Sequence, residues 1–142
     1  MKSEVMKVKL DDGAILPGRA HDQDAGYDLR APKRFSLFPH EIKTIDTGVH
    51  IQLPPGKCAI VFSKSGLFSS YGVISMGLVD EGYTGPIGVT LVNESGQRLT
   101  FEKGEKISQF YITNYYAYDV EVVEELDDTD RGERGFGSTG RR

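Results

Sequence analysis

Val49-His50-Ile51-Gln52-Leu53-Pro54-Pro55-Gly56-Lys57-Cys58-Ala59-Ile60-Val61-Phe62 is the stretch that decides the fold class. Val49, Ile51 and Leu53 alternate with His50 and Gln52, the two-residue period of a strand with one buried face. Pro54-Pro55-Gly56 stops that run, because proline offers no amide to a ladder and glycine opens the turn. Residues 58–62 then continue as an uninterrupted apolar strand. The same pattern recurs on either side. Met6, Val8 and Leu10 alternate with Lys7 and Lys9 and end at Asp11-Asp12-Gly13, and Phe35 with Leu37 makes another short piece. Residues 72–76, 88–93, 99–101, 107–112 and 115–123 supply further strands, and Lys103-Gly104 reads as a hairpin turn between two of them. Only residues 65–71 suit a helical turn or two, with Gly72 as the C-terminal stop. Many short strands separated by turns predict an all-β sandwich, jelly roll or small barrel.

With 142 residues the chain suits one domain with a substantial core. A hydrophobic share of 38% beside 27% charged residues is ordinary for a soluble globular protein, and no apolar run has the length of a membrane span. The start, Met1 to Met6, lacks the apolar segment of a secretory signal. Cys58 is the single cysteine, so no internal disulfide is possible; its apolar setting predicts a buried small hydrophobe in a reducing cytosol, hence a cytoplasmic protein. A net charge of −4 argues against general nucleic-acid binding. The charge is nonetheless segregated. Glu121, Glu124, Glu125, Asp127, Asp128 and Asp130 precede an arginine-rich end, which points to a small anionic ligand rather than a polymer.

That end, residues 131–142, holds four of the eight arginines and four glycines, with Phe136 as its one large apolar side chain. Such a strip cannot build a core. Its glycines can aim successive amides at one anion; arginine forks match phosphate oxygens; and Phe136 can lie on a flat ring. It reads as a flap closing over a phosphate-bearing compound with an aromatic base, against the alternative of a frayed terminus. Four interior loops also combine glycine with polar residues: 24–31, 63–67, 77–85 and 103–110. Lys64 between two serines before Gly66 suits a phosphate-cradling turn or a plain helix cap. Asp80 suits a base on a hairpin or an ordinary turn aspartate.

In this order the loops and tail resemble the five motifs of the trimeric dUTPase family. The nearest matches are Ala25-Gly26-Tyr27-Asp28-Leu29, Gly77-Leu78-Val79-Asp80-Glu81-Gly82-Tyr83 and Gly135-Phe136-Gly137-Ser138-Thr139-Gly140. The resemblance implies a jelly-roll-like β-barrel over residues 1–130, a flexible glycine-rich flap over 131–142, and a homotrimer with shared active sites. It also implies hydrolysis of dUTP to dUMP and pyrophosphate with Mg2+. Asp80 would activate the water that attacks the α-phosphorus, and Tyr83 would pack on the deoxyribose and refuse a 2′-hydroxyl. Backbone groups of Gly77, Leu78 and Val79 would read the uracil edge, with Gly88 allowing close approach. Lys64, Ser65, Gly66 and Gln109 would hold the phosphates, and Asp28 would arrange Mg2+ through waters. In the tail, Arg131, Gly137, Ser138 and Thr139 would close on the terminal phosphate while Phe136 stacks on the base.

Three positions depart from the family pattern. Lys64 stands where arginine is usual, Ser63 where proline is frequent, and Arg134 where glycine is usual. A lysine lacks the bidentate fork, and Arg134 would add a cation that partly offsets it. The rival readings are a dCTP deaminase-like enzyme, which would carry glutamate rather than aspartate at the reactive hairpin, a nucleotide-switched module that binds another protein, and a β-sandwich with no catalysis. His21, His40 and His50 show no zinc-ligand spacing.

Overall fold

The decisive stretch folds as its pattern requires. In the computed structural model, which describes residues 4–142, Val49–Gln52 is strand β5 and Lys57–Phe62 is strand β6. In chain order the other elements are β1 (Lys7–Leu10), β2 (Tyr27–Arg30), β3 (Phe35–Leu37), β4 (Ile42–Asp46), α1 (Ser65–Tyr71), β7 (Val73–Val79), β8 (Gly88–Asn93), β9 (Leu99–Phe101) and β10 (Lys106–Asn114). A six-stranded antiparallel sheet has the order β2-β10-β6-β7-β8-β4, and two ribbons, β1-β5 and β3-β9, complete the jelly-roll-like β fold.

Cys58, Ala59 and Val61 of β6 are buried, and Val89, Leu91 and Asn93 of β8 alternate into the interior. Leu29, Leu37, Ile107 and Phe110 lie at the centre, with the Phe110 ring stacked on Tyr27 at a centroid distance of 5.3 Å. Among the described residues no buried side-chain polar atom lacks a hydrogen-bond partner. Ser75 and Ser108 share a hydroxyl hydrogen bond of 2.7 Å, and the Asn93 amide donates to the carbonyls of Leu37 and Gln97. Pairing of this kind removes the penalty of leaving such groups dry and unbonded.

The helix at Ser65–Tyr71 and its stop agree with the sequence pattern: Gly72 adopts φ 65°, and its amide returns to Phe68. Two expectations fail. Lys103-Gly104 is not a hairpin, because β9 pairs with β3 whereas β10 pairs with β2 and β6. It is a corner between sheets, with Gly104 at φ 92° donating to the carbonyl of Ala31 at 2.8 Å. Residues 115–123 form no strand, although Tyr116, Tyr118, Val120 and Val122 keep the alternation of one; all four are exposed, and among the described residues no strand pairs with them. A two-residue period specifies a face, and a ladder also requires a neighbour. Strands β2 and β4 were not anticipated, being short and rich in polar residues; β4 is held to β8 by cross-strand pairs such as the Thr44–Thr90 hydroxyls at 2.9 Å.

Replacing Phe110 with alanine removes the largest fully buried side chain. Urea unfolding should show a loss of about 3–5 kcal/mol, and a loss under about 1 kcal/mol would show that the core does not depend on this ring.

Candidate active site

β2 and β10 run antiparallel with Asp28 opposite Gln109, and β10 also sets Gln109 opposite Phe62, the last residue of β6. That register gathers three expected residues at one end of the sheet. Lys64, two positions beyond β6, places Nζ 2.5 Å from Asp28 Oδ1, and Lys106 Nζ lies 3.3 Å from Oδ2. The Gln109 amide donates to the Ser63 carbonyl at 2.9 Å. Gly26 lies against Gln109: a Cβ there would come 2.4 Å from Gln109 Oε1, so a side chain at this position would displace the carboxamide from its present place. Asp28, Lys64, Lys106, Gln109 and Gly26 line a cleft of about 290 Å3. Beside it Ser65 and Gly66 open α1, and nothing crowds the space a Gly66 side chain would fill.

Burial by itself would raise the Asp28 carboxyl. The hydrogen bonds and charges of Lys64 and Lys106 outweigh it and hold the group below its ordinary value. Asp28 is therefore anionic at neutral pH, in a cleft where Lys64 and Lys106 balance Asp28 and Asp24. Ser63 has its own task, since its hydroxyl accepts from the Ser75 amide at 2.9 Å and so ties the phosphate-type loop to β7.

Asp80 and Tyr83 lie elsewhere. β7 runs to Val79, paired with Ala59, so Asp80 follows opposite Cys58, at the far end of β6 from Lys64. Six residues of strand separate those ends, roughly 20 Å. Asp80 is exposed, and its carbonyl accepts from the Tyr83 amide at 3.1 Å to close a turn. Tyr83 is folded back over Gly85 with its hydroxyl donating to the Pro86 carbonyl at 2.7 Å. Asp80, Glu81, Gly82, Leu78, Cys58 and Tyr115 line a second cleft of about 370 Å3. Gly77 and Leu78 belong to β7 itself rather than to the turn. Their strand pairs with β6 up to Val79, yet its ladder with β8 ends at Ser75 opposite Leu91. Continued register would set Leu78 against Gly88; instead the strands diverge and leave one backbone edge of β7 open from Met76 onward.

The tail reaches neither cluster. Arg131, Gly132 and Gly137 take part in local turns, with Arg131 Nε donating to Arg134 O at 2.9 Å and Arg134 Nη2 to Asp130 O at 2.7 Å. Phe136 is fully exposed, and so are Ser138 and Thr139. Lys106 is the participant that sequence reading passed over. Its signal was present in Lys103-Gly104-Glu105-Lys106, but a surface lysine after a turn acquires meaning only once β2 is known to lie alongside.

A Lys–Asp–Lys cluster, an exposed aspartate beside an open strand edge, and a detached glycine-arginine tail on a jelly-roll-like fold suit the nucleotide-handling class of protein that the sequence motifs resemble. Comparison with known proteins is consistent with this. The dUTPase family model matches residues 12–140. The chain is 43% identical over 135 residues to the deoxyuridine 5'-triphosphate nucleotidohydrolase of Clostridium novyi (strain NT), covering 93% of this chain and 95% of that protein. It is 41% identical to the enzyme of the same name from Gloeothece citriformis (strain PCC 7424), covering 93% of each. The dUTPase of Staphylococcus bacteriophage 80alpha, solved with dUpNHpp, superposes with a TM-score of 0.87 at 29% identity over 97% of this chain and 99% of that one. A mutant dUTPase from phage phi11 of S. aureus, described with a structural Mg(II) ion, gives a TM-score of 0.79 at 25% identity over 86% of this chain and 98% of that one. The chain belongs to the dUTPase family.

Removing one cation tests the ion triad. A depressed folded pKa contributes stability that is present above the unfolded value and lost as pH falls through the folded one. Lys106→Met should therefore raise the Asp28 pKa in an NMR titration and move the acid loss of stability to higher pH. An unchanged Asp28 titration would show that Lys64 alone sets it.

Proposed function

We propose that the protein hydrolyses dUTP to dUMP and pyrophosphate as a homotrimer whose active sites are assembled from different subunits. The observation that carries the shared site is the separation of about 20 Å, by strand rise, between Asp80 and Lys64 within a single chain. A triphosphate clamp and a catalytic carboxylate must face one substrate, so the phosphate end of one subunit has to meet the Asp80 end of another.

Two surfaces support that assembly. Ile60 and Phe62 on β6, Leu78 and Met76 opposite them on β7, and Tyr111 on β10 point away from the core, and Phe62, Leu78 and Met76 are exposed. A contiguous apolar strip of this sort marks an interface. The arm over residues 115–130 leaves the body with its strand-like alternation unpaired; fully extended it spans up to about 50 Å, enough to lie on a neighbour and deliver residues 131–142 to that neighbour's site. We assign residues 1–130 to the catalytic body and 131–142 to a closing flap on the same grounds.

At the Asp80 end, the open edge of β7 over Gly77, Leu78 and Val79 offers backbone donors and acceptors to uracil. Gly88, on the diverging strand, would allow close approach of the base. A narrow slot excludes the thymine methyl sterically, and cytosine presents a donor where uracil has an acceptor. Tyr83 stacks on the deoxyribose and leaves no room for a 2′-hydroxyl. Asp80 orients a water and takes its proton as the oxygen bonds to the α-phosphorus; the bond from that phosphorus to the bridging oxygen breaks and pyrophosphate departs. Lys64, Ser65, Gly66 and Gln109 hold the phosphate chain in line. Arg131, Gly137, Ser138 and Thr139 close on its outer end while Phe136 covers the base, excluding bulk water.

Among the described residues no group of three or more His, Cys, Asp or Glu side chains sits together, and both Asp28 oxygens face lysines. Mg2+ would have to arrive with the triphosphate, and Asp28 would reach its waters only as a lysine turns from the carboxylate toward the phosphates, since this ion sheds water reluctantly. When bound, the ion would neutralise charge on the phosphates. No helix among the described residues is long and apolar enough to cross a membrane, and the substrate is a metabolite; we place the activity in the cytoplasm, with no nucleic-acid partner.

Pyrophosphate release from dUTP with Mg2+ tests the reaction, and ammonia release from dCTP would instead indicate a deaminase. Asp80→Asn should bind dUTP yet lose at least 100-fold in kcat, the order expected for a lost general base; near-normal turnover would remove Asp80 from that role. Light scattering should report a trimer. Mixing inactive Asp80→Asn with a variant truncated after Asp130 should restore partial activity, and no recovery in a mixed trimer would count against sites shared between subunits.

A further inference from the structure

His50 projects from β5 and has both ring nitrogens engaged. Nδ1 lies 2.8 Å from the Thr84 carbonyl oxygen, and Nε2 lies 3.0 and 3.1 Å from the two Asp11 carboxylate oxygens. A carbonyl oxygen only accepts, and an ionised carboxylate only accepts, so an imidazolium donating from both nitrogens satisfies both contacts, whereas a neutral ring meets one of them with a lone pair. The bonded groups belong to three segments: the end of β1, strand β5, and the loop between β7 and β8. Thr84 directly follows Tyr83.

The rest of that loop is tethered around Tyr83 but not at it. Ile87 exchanges backbone bonds with Val49 and Thr47, and Glu81 accepts from the Gly56 amide. Tyr83 itself bonds only within the loop, to the Asp80 and Pro86 carbonyls. Between Glu81 and Ile87, the His50–Thr84 contact is the one side-chain tie from the loop to the body among the described residues.

We infer that His50 is a positioning residue for sugar discrimination, pinning the loop that carries Tyr83 to the β1–β5 ribbon through a doubly donating imidazolium. This rests on the reading of Tyr83 as the group that refuses a 2′-hydroxyl. A ring held at both ends of its loop can exclude an extra oxygen; one that yields accommodates it.

The clamp is charge-dependent. The Thr84 carbonyl first, and then Asp11, raise the His50 pKa above its ordinary value, against partial burial and the charge of Lys9, which β1 places opposite His50. Lys7 lines the same groove from β1, and the loop's own acids, Asp80 and Glu81, line a different cleft, with Glu81 engaged by Gly56 and Tyr115. A raised folded pKa means that the tie is complete below the ordinary histidine value and is lost as pH rises through the folded one. Discrimination should thus be strongest in mildly acidic solution and fall on the alkaline side.

The test is the ratio of kcat/KM for dUTP to that for UTP, followed across pH in the trimeric enzyme. Wild type should show the ratio falling through one titration that lies above the ordinary histidine value. His50→Gln should lower the ratio at acidic pH by about tenfold, the equivalent of one charge-assisted hydrogen bond, and abolish the pH dependence. Asp11→Asn, which spares the fold if His50→Gln does not, should move the titration to lower pH. A wild-type ratio and pH profile in both variants would overturn the inference. Tyr83→Ala separates the two claims: if it erases discrimination while His50→Gln does not, the clamp is wrong; if it leaves discrimination intact, the role of Tyr83 is wrong and the clamp's consequence falls with it.

Discussion

Strand β6 imposes the constraint on which everything else depends. Lys64 lies just beyond one end and Asp80, following β7, beside the other; in the proposed reaction one substrate touches both, yet a rigid antiparallel sheet holds them roughly 20 Å apart. No side-chain motion closes such a distance. The chain can fold alone around its buried core, but the chemistry proposed for it requires a second copy, and the exposed apolar strip on the same sheet supplies a reason for copies to associate. Stability and activity therefore use opposite faces of one sheet.

Substrate reading follows from where ladders stop. β7 remains bonded to β6 through Val79 but leaves β8 after Ser75. Elsewhere an open edge is a liability; in the proposed reaction it would offer fixed backbone dipoles to a planar base without spending a side chain. The Asp80 turn begins where that edge ends, so the base recognition and water activation proposed above would be held by the same piece of backbone.

At the opposite end the electrostatics are arranged around one carboxylate. Asp28 sits between Lys64 and Lys106 and spaces two cations across the cleft. Lysine in place of a bidentate arginine makes each cation a point charge on a flexible stem. Such a charge can turn from Asp28 toward a phosphate without a planar fork to realign.

Particular residues show what could be read from the chain alone. Alternation in 49–53, the apolar run 58–62 and the Ser65–Tyr71 turn with Gly72 determined strand and helix placement, because side-chain period and backbone preference are local properties. The ordered motifs around Asp28, Lys64, Asp80, Gln109 and Phe136 identified the family. Sequence could not say that Lys103-Gly104 turns a corner between sheets, that 115–123 lacks a partner, or that Lys106 joins Asp28, for each depends on which distant strand lies alongside. The separation of Asp80 from Lys64 is of the same kind: residues 64 and 80 are near in the chain, and only the antiparallel course of β6 and β7, with its fixed rise per residue, drives them to opposite ends of the sheet.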